Sequence, residues 1–513
     1  MNTGRASHLT RRGFMAASAA AISLAAGKRR IPRERPHILL LMADQFRADC
    51  VGASGNRAIS TPHLDGIARE GVLFSCAYSC TPTCTPARAA LLTGLGPWRN
   101  GLLGYGRVGE KYPVEMPAAL RDAGYYTCGI GKMHWHPQRN PHGFHQMLLD
   151  ESGRAESPGF QSDYRAWFAS KAPALNPDAT GIGWNSYRAG AYALPERLHP
   201  TRWTGDTAAR FIKEYDRAEP FFLKVSFARP HSPYDPPKRF LKRYRDADLP
   251  AAAVGAWASR HAERSGPDDT IWHGDLGADQ VRCSRQAYYG SVSFVDEQIG
   301  RILEMLDQRG WLDETLIVFT ADHGDMLGDH HLWRKSYAYE SSARIPMLMR
   351  WPKGAADAPR GAVSARPVEL RDVLPTFLDA AGAPGAESLD GRSMLNLLRN
   401  PAADWRPFLD LEHDICYAPE NHWSALTNGK HKYIFHAMDG SEQLFDLERD
   451  PHETTDRSGD ASHAEILRLW RARLVEHLAP RGETFVENGR LALRPTSTLY
   501  SPNYPGCSCH KHA

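Results

Sequence analysis

The chain has 513 residues, of which 42% are hydrophobic and 24% are charged. These proportions are ordinary for a globular protein, and the length allows one large domain with a substantial core and a smaller second one. The formal net charge of +3 is close to balance, and no long basic tail is present, which argues against a general nucleic-acid-binding protein. The nine cysteines contain no CxxC pair and show no pattern typical of a small disulfide-bonded domain.

The first 35 residues have the layout of an export signal. Arg11 and Arg12 are followed by Phe14, and an alanine-rich apolar run covers residues 16–26. This order of basic, apolar and small residues is typical of a secretory leader, and the run is too short for a stable membrane span. Because the paired arginines resemble the twin-arginine signal, we expect export by the twin-arginine machinery and a periplasmic or secreted protein.

Four apolar runs along the chain end in polar residues. Each run has the length and composition of a buried strand. The runs and the residues that follow them are 38–42 with Asp44 and Gln45, 126–130 with Lys132, 221–227 with His231, and 315–320 with Asp322 and His323. A helical pattern with one apolar face lies between Tyr288 and Leu306. Alternating strands and helices predict an α/β fold with a mainly parallel sheet, whose ligands bind beyond the carboxyl ends of the strands.

The pattern of apolar and polar residues divides the remaining chain into three parts. We assign residues 36–385 to a catalytic domain, residues 386–490 to a small α+β domain and residues 491–513 to a tail. Two stretches without clear periodicity, 137–205 and 231–283, are interpreted as long loops over the site. In the small domain, the predicted elements are strands at 430–436 and 443–447 and a helix at 465–478.

The segment from Cys84 to Gly94 contains the most specific pattern in the chain. It reads Cys-Thr-Pro-Ala-Arg-Ala-Ala-Leu-Leu-Thr-Gly, which resembles the sulfatase motif Cys-x-Pro-x-Arg, followed after four residues by Thr-Gly. In that family the cysteine is oxidised to formylglycine, whose hydrated aldehyde is the nucleophile. Cys80 begins a near-duplicate, but its fifth position is Cys84 where the motif requires Arg. The resemblance therefore implies that Cys84 alone is modified.

The same segment is physically suited to that chemistry. Pro86 fits the first turn of a helix, because its missing N–H would be unpaired there. A group at the start of this helix lies at the positive end of the helix dipole, which favours a developing anion. Arg88, one turn further on, could hydrogen-bond the hydrated aldehyde or hold the anion.

The residues after two of the strands are the candidate metal ligands. Asp44 with Gln45, and Asp322 with His323, offer oxygen and imidazole donors that suit a divalent cation. The resemblance assigns both pairs to the metal shell together with modified Cys84. The Gln and His combination is similar to the branch that contains choline sulfatases and phosphonate monoester hydrolases. Ca²⁺ is the expected metal, with Mn²⁺ or Mg²⁺ as alternatives because this site carries less negative charge.

The remaining candidates are cationic or titratable side chains. The segment Gly-Lys-Met-His resembles a sulfatase element in which Lys132 binds a sulfate oxygen and His134 lies against the formylglycine hydroxyls. His136 is a competing candidate for the second role. By the same resemblance, His231 protonates the leaving alcohol, and Lys335 is a second sulfate-binding lysine.

The sequence is thus identified as a member of the formylglycine-dependent sulfatases, within the alkaline-phosphatase-like superfamily. The resemblance extends over residues 36–480 and implies an α/β/α sandwich with a small α+β C-terminal domain. It implies hydrolysis of a sulfate ester, carried by a small molecule or a glycan. It also implies a maturation enzyme, formylglycine-generating or radical-based, that oxidises Cys84.

Two other functions stay open from the sequence. The first is a phosphonate monoester or phosphodiester hydrolase that uses the same aldehyde, and the second is a non-catalytic exported binding protein that keeps the fold. The oligomeric state is unknown from the sequence. If the substrate is a glycan, aromatic residues in the catalytic region could stack on sugar rings; these are Trp135, Trp167, Trp184, Tyr187, Trp203 and Trp333.

Overall fold

The computed structural model of the chain describes residues 35–506. The predicted export signal, apart from its last residue, and residues 507–513 of the predicted tail lie outside the described part. Within residues 35–506, no helix is long and apolar enough to cross a membrane.

The chain alternates between strands and helices as far as residue 399 and then forms a separate set of strands. The strands are β1 His37–Asp44, β2 Val72–Phe74, β3 Ala77–Tyr78, β4 Tyr126–Gly131, β5 Gln146–Leu149, β6 Phe221–Pro230, β7 Thr315–Ala321, β8 Met347–Arg350, β9 Ala362–Ser364, β10 Val368–Glu369, β11 Leu409–His413, β12 Trp423–Thr427, β13 His431–His436, β14 Glu442–Asp446, β15 Val486–Glu487 and β16 Arg490–Leu491. The α-helices are α1 Pro62–Arg69, α2 Cys84–Thr93, α3 Pro97–Asn100, α4 Met116–Asp122, α5 Asp163–Lys171, α6 Pro200–Glu214, α7 Lys238–Tyr244, α8 Gly277–Gln308, α9 Glu340–Ala343, α10 Val373–Ala381, α11 Leu395–Arg399 and α12 Ala464–Leu478.

The main sheet has eight strands in the order β5-β4-β6-β1-β7-β8-β2-β9. The first five strands are parallel to one another. Strand β8 is antiparallel to β7 and β2, and β9 is parallel to β2. Every residue of β1, β6 and β7 is buried. Burial on both faces explains why these strands consist mostly of apolar residues, although β6 also contains Lys224 and Ser226. The predicted α/β fold with a mainly parallel sheet is confirmed.

Helices pack in two groups. α1, α6 and α7 contact the long helix α8, while α2, α4 and α10 contact one another. Strand β4 contacts α4 from the second group and α6 from the first. The sheet therefore lies between two helical layers, which is the α/β/α arrangement that the resemblance implied.

The C-terminal region contains the antiparallel sheet β11-β12-β13-β14 and helix α12. The two predicted strands and the helix agree with β13, β14 and α12 to within one or two residues. Strands β11 and β12 were not predicted. The domain boundary at residue 385 stays a prediction.

Both stretches interpreted as long loops contain regular structure. Residues 137–205 include β5, α5 and the start of α6, and residues 231–283 include α7 and the first turns of α8. The loop prediction was wrong there because these elements are short or mostly exposed. A helix is recognisable in a sequence when one face is apolar, because apolar residues then recur every three to four positions. The first seven residues of α8 are exposed or half-buried and show no such pattern.

Strand register determines where the site forms. Met42 lies beside Ser226 of β6 and Thr320 of β7, and after Ala43 the register shifts so that Asp44 pairs with Pro230. The residues that follow the three central strands therefore emerge at one edge of the sheet, beyond the carboxyl ends of the strands.

Candidate active site

The structure brings the ten predicted site residues together at this edge, and all of them are buried. They come from β1 and its end, the start of α2, the segment after β4, the end of β6, the end of β7 and the segment before α9; they are Asp44, Gln45, Cys84, Arg88, Lys132, His134, His231, Asp322, His323 and Lys335.

Cys84 is the first residue of helix α2, with Thr83 as an extended N-cap and Pro86 in the first turn. Its Sγ atom lies 3.2 Å from Nε2 of His323 and 3.8 Å from Oδ1 of Asp44. The thiol therefore stands at the positive end of a buried helix and faces the predicted metal ligands.

Opposing effects act on the Cys84 thiol. Burial and the Asp44 carboxylate raise its pKa, but Lys335, Lys132 and His323 together outweigh them, so the pKa is lowered from its ordinary value. The surroundings of this position therefore favour negative charge, which an attacking oxyanion in the same place would also require.

Four side chains could hold a metal ion. One donor atom from each of Asp44, Cys84, Asp322 and His323 lies within 4.8 Å of the others, and all four residues are buried. Oδ1 of Asp44 has only long contacts, with the thiol at 3.8 Å and with Nε2 of His323 at 4.0 Å, so it retains lone pairs for a ligand. Nδ1 of His323 lies 2.9 Å from the carbonyl of Gly324, an orientation that turns Nε2 towards the other donors.

Gln45 has other partners. Its Oε1 accepts a hydrogen bond from Nζ of Lys335 at 2.9 Å, and its Nε2 donates to Asp325 at 2.5 Å. Its backbone N–H donates to Asp322. The residue has φ of 63°, a left-handed conformation that costs energy for a residue other than glycine. The structure thus places Gln45 beside the predicted ligands, between the metal side and Lys335.

Arg88 is fully buried and binds protein groups with four of its five N–H donors. It donates to Asp322 at 2.9 Å and to Asp44 at 3.1 Å, and also to the carbonyl of Lys132 and the hydroxyl of Ser226. These contacts hold the two carboxylates in place. Arg88 therefore positions Asp44 and Asp322. From the sequence, Arg88 was expected only to bind the hydrated aldehyde or the anion.

Two buried lysines also line the site. Nζ of Lys132 contacts the Asp44 carboxylate and lies 4.7 Å from the ring centre of Trp184. Nζ of Lys335 lies 2.8 Å from Nε2 of His231. The imidazole of His231 in turn stacks on Trp184, with ring centres 4.0 Å apart. This group of cations and rings is suited to an anionic group bound between the lysines.

Burial, Lys335 and Lys132 lower the pKa of His231 well below its ordinary value. Its Nδ1 lies 2.8 Å from the carbonyl of Ser232. With Nδ1 donating to that carbonyl, Nε2 is free to accept from the Lys335 ammonium, so the imidazole is neutral in this structure.

His134 and His136 differ in environment. His134 is buried with φ of 60°, and neither ring nitrogen has a hydrogen-bond partner among the described residues. Burial, followed by Arg154 and Lys132, lowers the pKa of His134 well below its ordinary value. His136 is partly exposed. The geometry therefore favours His134 as the histidine that faces the site.

Two charged residues near His134 were not predicted from the sequence. Glu151 accepts hydrogen bonds from the backbone N–H groups of Met133 and His134 at 2.8 and 3.0 Å. Arg154 pairs with Glu151 and lies 5.6 Å from the ring centre of Trp184. Both lie in a stretch that was interpreted as a loop. A carboxylate two residues after a short strand was the available signal.

Three of the six aromatic residues proposed to stack on sugar rings belong to the core. Trp135, Trp203 and Trp333 are at most 5% exposed and cannot stack on a substrate. Trp184 is the member that reaches the site, through His231 and Lys132.

The geometry agrees with comparisons with known proteins. The family model described as Sulfatase matches residues 36–383. The chain belongs to the sulfatase family. A second model, for the C-terminal part of N-sulphoglucosamine sulphohydrolase, matches residues 328–479. This protein is therefore a sulfuric ester hydrolase of the alkaline-phosphatase-like superfamily.

Relatives of this sulfatase include both sulfate and phosphonate ester hydrolases. It is 37% identical to an arylsulfatase of Clostridium perfringens over 480 residues, which cover 91% of this chain and 99% of the relative. It is 31% identical to a choline-sulfatase of Rhizobium meliloti, with 82% of each chain covered. A phosphonate monoester hydrolase of Agrobacterium radiobacter superposes with a TM-score of 0.71 at 27% identity, covering 87% of this sulfatase and 96% of that chain.

Proposed function

We propose that this sulfatase hydrolyses sulfate esters with a formylglycine made from Cys84, assisted by one divalent cation, for which Ca²⁺ is the first choice. The observation that carries the proposal is the position of Cys84, buried at the start of a helix with Asp44 and His323 beside its sulfur. A residue that served only packing would not need two charged or titratable partners at this position.

The residues present fit both groups. The open Oδ1 of Asp44 and the nearby donors of Asp322 and His323 would hold the cation, with the oxidised Cys84 side chain as a further oxygen donor. Bound there, a cation would supply Lewis-acid polarisation, and the hydrated aldehyde would supply a nucleophilic hydroxyl and a second hydroxyl. Mn²⁺ or Mg²⁺ would fit the same donors.

Lys132 and Lys335 would bind the sulfate oxygens and offset their charge as the ester bond breaks. The two lysines are also causes of the low pKa of His231. An anionic sulfate ester bound between them would offset their positive charge and raise that pKa. His231 would then hold a proton at Nε2 and give it to the departing oxygen.

His134 would act in the opposite direction. Burial and Arg154 keep its imidazole neutral at ordinary pH, and its ring nitrogens are free to accept a proton from the second hydroxyl. Proton donation by His231 and proton removal by His134 would therefore occur on different groups, whose environments the protein controls separately.

Mass analysis of the Cys84 peptide, from protein produced in its natural host, tests this proposal. We expect an aldehyde that reacts with a hydrazide probe, and turnover of 4-nitrophenyl sulfate in proportion to the aldehyde fraction. An unmodified thiol in fully active protein would contradict the proposal.

A second candidate is hydrolysis of phosphonate monoesters by the same group. It is favoured by the structural similarity to the Agrobacterium radiobacter enzyme and by Gln45 and His323 beside the site. Values of kcat/KM for 4-nitrophenyl sulfate and for a matched 4-nitrophenyl phosphonate ester decide between the two. We expect the sulfate to be preferred, since the arylsulfatase is the more similar relative.

We also propose that the protein acts outside the cytoplasm on a sulfated glycan or a small sulfate ester, after oxidation by a maturation enzyme and export through the twin-arginine machinery. Replacement of Arg11 and Arg12 by lysine tests the export step. We expect active enzyme to be retained in the cytoplasm, and an unchanged periplasmic fraction would contradict this route.

A further inference from the structure

The C-terminal sheet contacts the two segments that carry Cys84 and Lys335. On β11, the imidazole of His413 places its Nε2 atom 2.8 Å from Oγ1 of Thr83, the residue before Cys84. Oγ1 of Thr83 in turn lies 2.5 Å from Oγ of Ser336, the residue after Lys335. The three linked side chains are buried. A chain of hydrogen bonds therefore joins the sheet to the neighbours of the candidate nucleophile and of a candidate sulfate-binding lysine.

The direction of each hydrogen bond in this chain follows from its ends. Nδ1 of His413 contacts the carbonyl of Asp414, and a carbonyl only accepts, so Nδ1 carries a proton. Burial lowers the pKa of His413 to about 4, so the ring is neutral at ordinary pH and Nε2 accepts. The Thr83 hydroxyl therefore donates to Nε2, and the Ser336 hydroxyl donates to Thr83. Loss of one member leaves the next without its partner.

Thr83 is the N-cap residue of α2, yet its side chain does not cap the helix. Threonine at this position ordinarily accepts a hydrogen bond from a backbone N–H in the first turn. One of the usual donors is missing here, because Pro86 has no N–H. The hydroxyl is turned to the other two side chains instead. It therefore ties the start of the helix, where Cys84 lies, to segments from elsewhere in the chain.

Ser336 is held at each of its polar groups. Its N–H donates to the carbonyl of Pro82 at 2.9 Å, its carbonyl accepts from the indole of Trp423 on β12 at 3.0 Å, and its hydroxyl belongs to the chain just described. Its φ of 79° is left-handed, a conformation that costs energy in serine and persists only where the surroundings impose it. The backbone that follows Lys335 is thus held against the segment before Cys84 and against the C-terminal sheet.

We infer that His413 is a positioning residue for the reaction. Acting through the two hydroxyls, it sets the distance between the oxidised Cys84 side chain and the Lys335 ammonium. The hydrogen-bonded pair of hydroxyls joins segments 253 positions apart in the sequence, and a shift of about 1 Å in a reacting group can reduce turnover about 100-fold. The inference rests on the proposed formylglycine function, because it assigns a further residue to the same site.

The variants His413→Ala and Thr83→Val test the inference, the second because valine has nearly the shape of threonine but no hydroxyl. Turnover of 4-nitrophenyl sulfate is divided by the aldehyde fraction measured with a hydrazide probe, which separates catalysis from maturation. We expect each variant to lower kcat about 10- to 100-fold. KM should change less than about threefold, because Lys132 also binds the sulfate. The double variant should lose no more than either single variant, since each change already breaks the same chain.

Two further variants serve as controls. Thr83→Ser keeps the hydroxyl and should restore kcat to within about threefold of the wild type. His37→Ala removes another buried imidazole, which accepts a hydrogen bond from the N–H of Phe221 at 3.0 Å. His37 and Asp44 are at opposite ends of β1, about 23 Å apart. His37→Ala should lower the unfolding temperature and leave kcat within about twofold.

The inference is overturned if His413→Ala and Thr83→Val keep kcat within about twofold of the wild type, or if their losses appear in KM alone. It is also overturned if the two losses multiply in the double variant, or if Thr83→Ser loses as much as Thr83→Val. If His413→Ala does not fold, the valine and serine variants of Thr83 decide. Wild-type turnover in proportion to the aldehyde fraction supports the proposed function under each of these outcomes, so the two failures are distinguishable.

Discussion

Two clusters of buried charge lie close together in this protein and differ in how completely they are paired. Asp329 accepts four hydrogen bonds, from Arg47, Arg285, the hydroxyl of Ser341 and the backbone N–H of Ala253, at 2.6 to 2.8 Å. Its carboxylate has no capacity left for a ligand.

The catalytic cluster is incomplete by comparison. Asp44 binds Arg88 and Lys132 through one oxygen and has only long contacts at the other, with the Cys84 thiol and with Nε2 of His323. The ring nitrogens of His134 have no hydrogen-bond partner among the described residues, and Nε2 lies 3.9 Å from the Glu156 carboxylate. Both clusters are buried, so burial alone does not identify a functional charge. Unused hydrogen-bonding capacity does, because a protein that gained nothing from it would have lost the free energy of the missing bonds.

The largest effect is expected from Cys84→Ala. Turnover of 4-nitrophenyl sulfate should fall to the background rate, because the variant has no side chain to oxidise, while the unfolding temperature changes little. Kinetics and thermal unfolding check both parts. Cys80→Ala, the matched change at the near-duplicate motif, should leave activity within about twofold. Substantial activity in Cys84→Ala would show that another residue is the nucleophile.

His231→Asn should reduce kcat about 10²–10³-fold, the usual range for loss of a general acid. The loss should be greater for an alkyl sulfate than for 4-nitrophenyl sulfate, because nitrophenolate leaves without protonation. The comparison of the two leaving groups distinguishes proton donation from simple positioning. Equal losses would assign His231 to binding, and exposed His63→Asn serves as the control.

In the fully paired cluster, Asp329→Asn should lower the free energy of unfolding by about 3 kcal/mol, since it leaves Arg285 buried without its anion and leaves Arg47 with Asp49 alone. Thermal or urea unfolding measures this. The exposed pair Arg239–Glu297 provides the control, because Glu297→Gln should cost less than about 1 kcal/mol. A loss as small as the control would mean that the cluster does not stabilise the fold.

The same carboxylate predicts a pH dependence. Although burial acts to raise it, Arg285 and Arg47 lower the pKa of Asp329 below its ordinary value. Its stabilisation is therefore present above pH of about 4, the pKa in unfolded chains, and is lost as the pH falls through the lower folded pKa. The difference in unfolding temperature between wild type and Asp329→Asn should narrow in that acid range. A constant difference would contradict the assignment.

The smallest effect is expected from Arg154→Met. Burial is the first cause of the low pKa of His134 and Arg154 is the second, so the variant should raise that pKa. If neutral His134 takes up a proton, activity is lost as the pH falls through its pKa, and the acid limb of the kcat profile should move to higher pH. If the acid limb of the kcat profile did not move, His134 would not be the group that takes up the proton.

The sequence by itself determined much of the fold and the membership of the site. The central strands were predictable because burial on both faces leaves mostly apolar residues in β1, β6 and β7. Cys84 was distinguished from Cys80 by the missing arginine alone. The residues that follow β1, β6 and β7 were then expected to meet, since the carboxyl ends of parallel strands lie at one edge of the sheet. Cys84, Arg88 and Lys335 were assigned from the resemblance to the sulfatases.

Only the tertiary structure decided the partners within the site. The contact between Gln45 and Lys335 joins residues 290 positions apart, and no local period reports such a pair. For the same reason, the sequence predicted that Arg88 binds the aldehyde, whereas in the structure Arg88 binds the carboxylates of Asp44 and Asp322. His134 shows the limit most clearly, because whether a buried imidazole has a hydrogen-bond partner depends on atoms brought together from distant parts of the chain. That is a property of the packed structure.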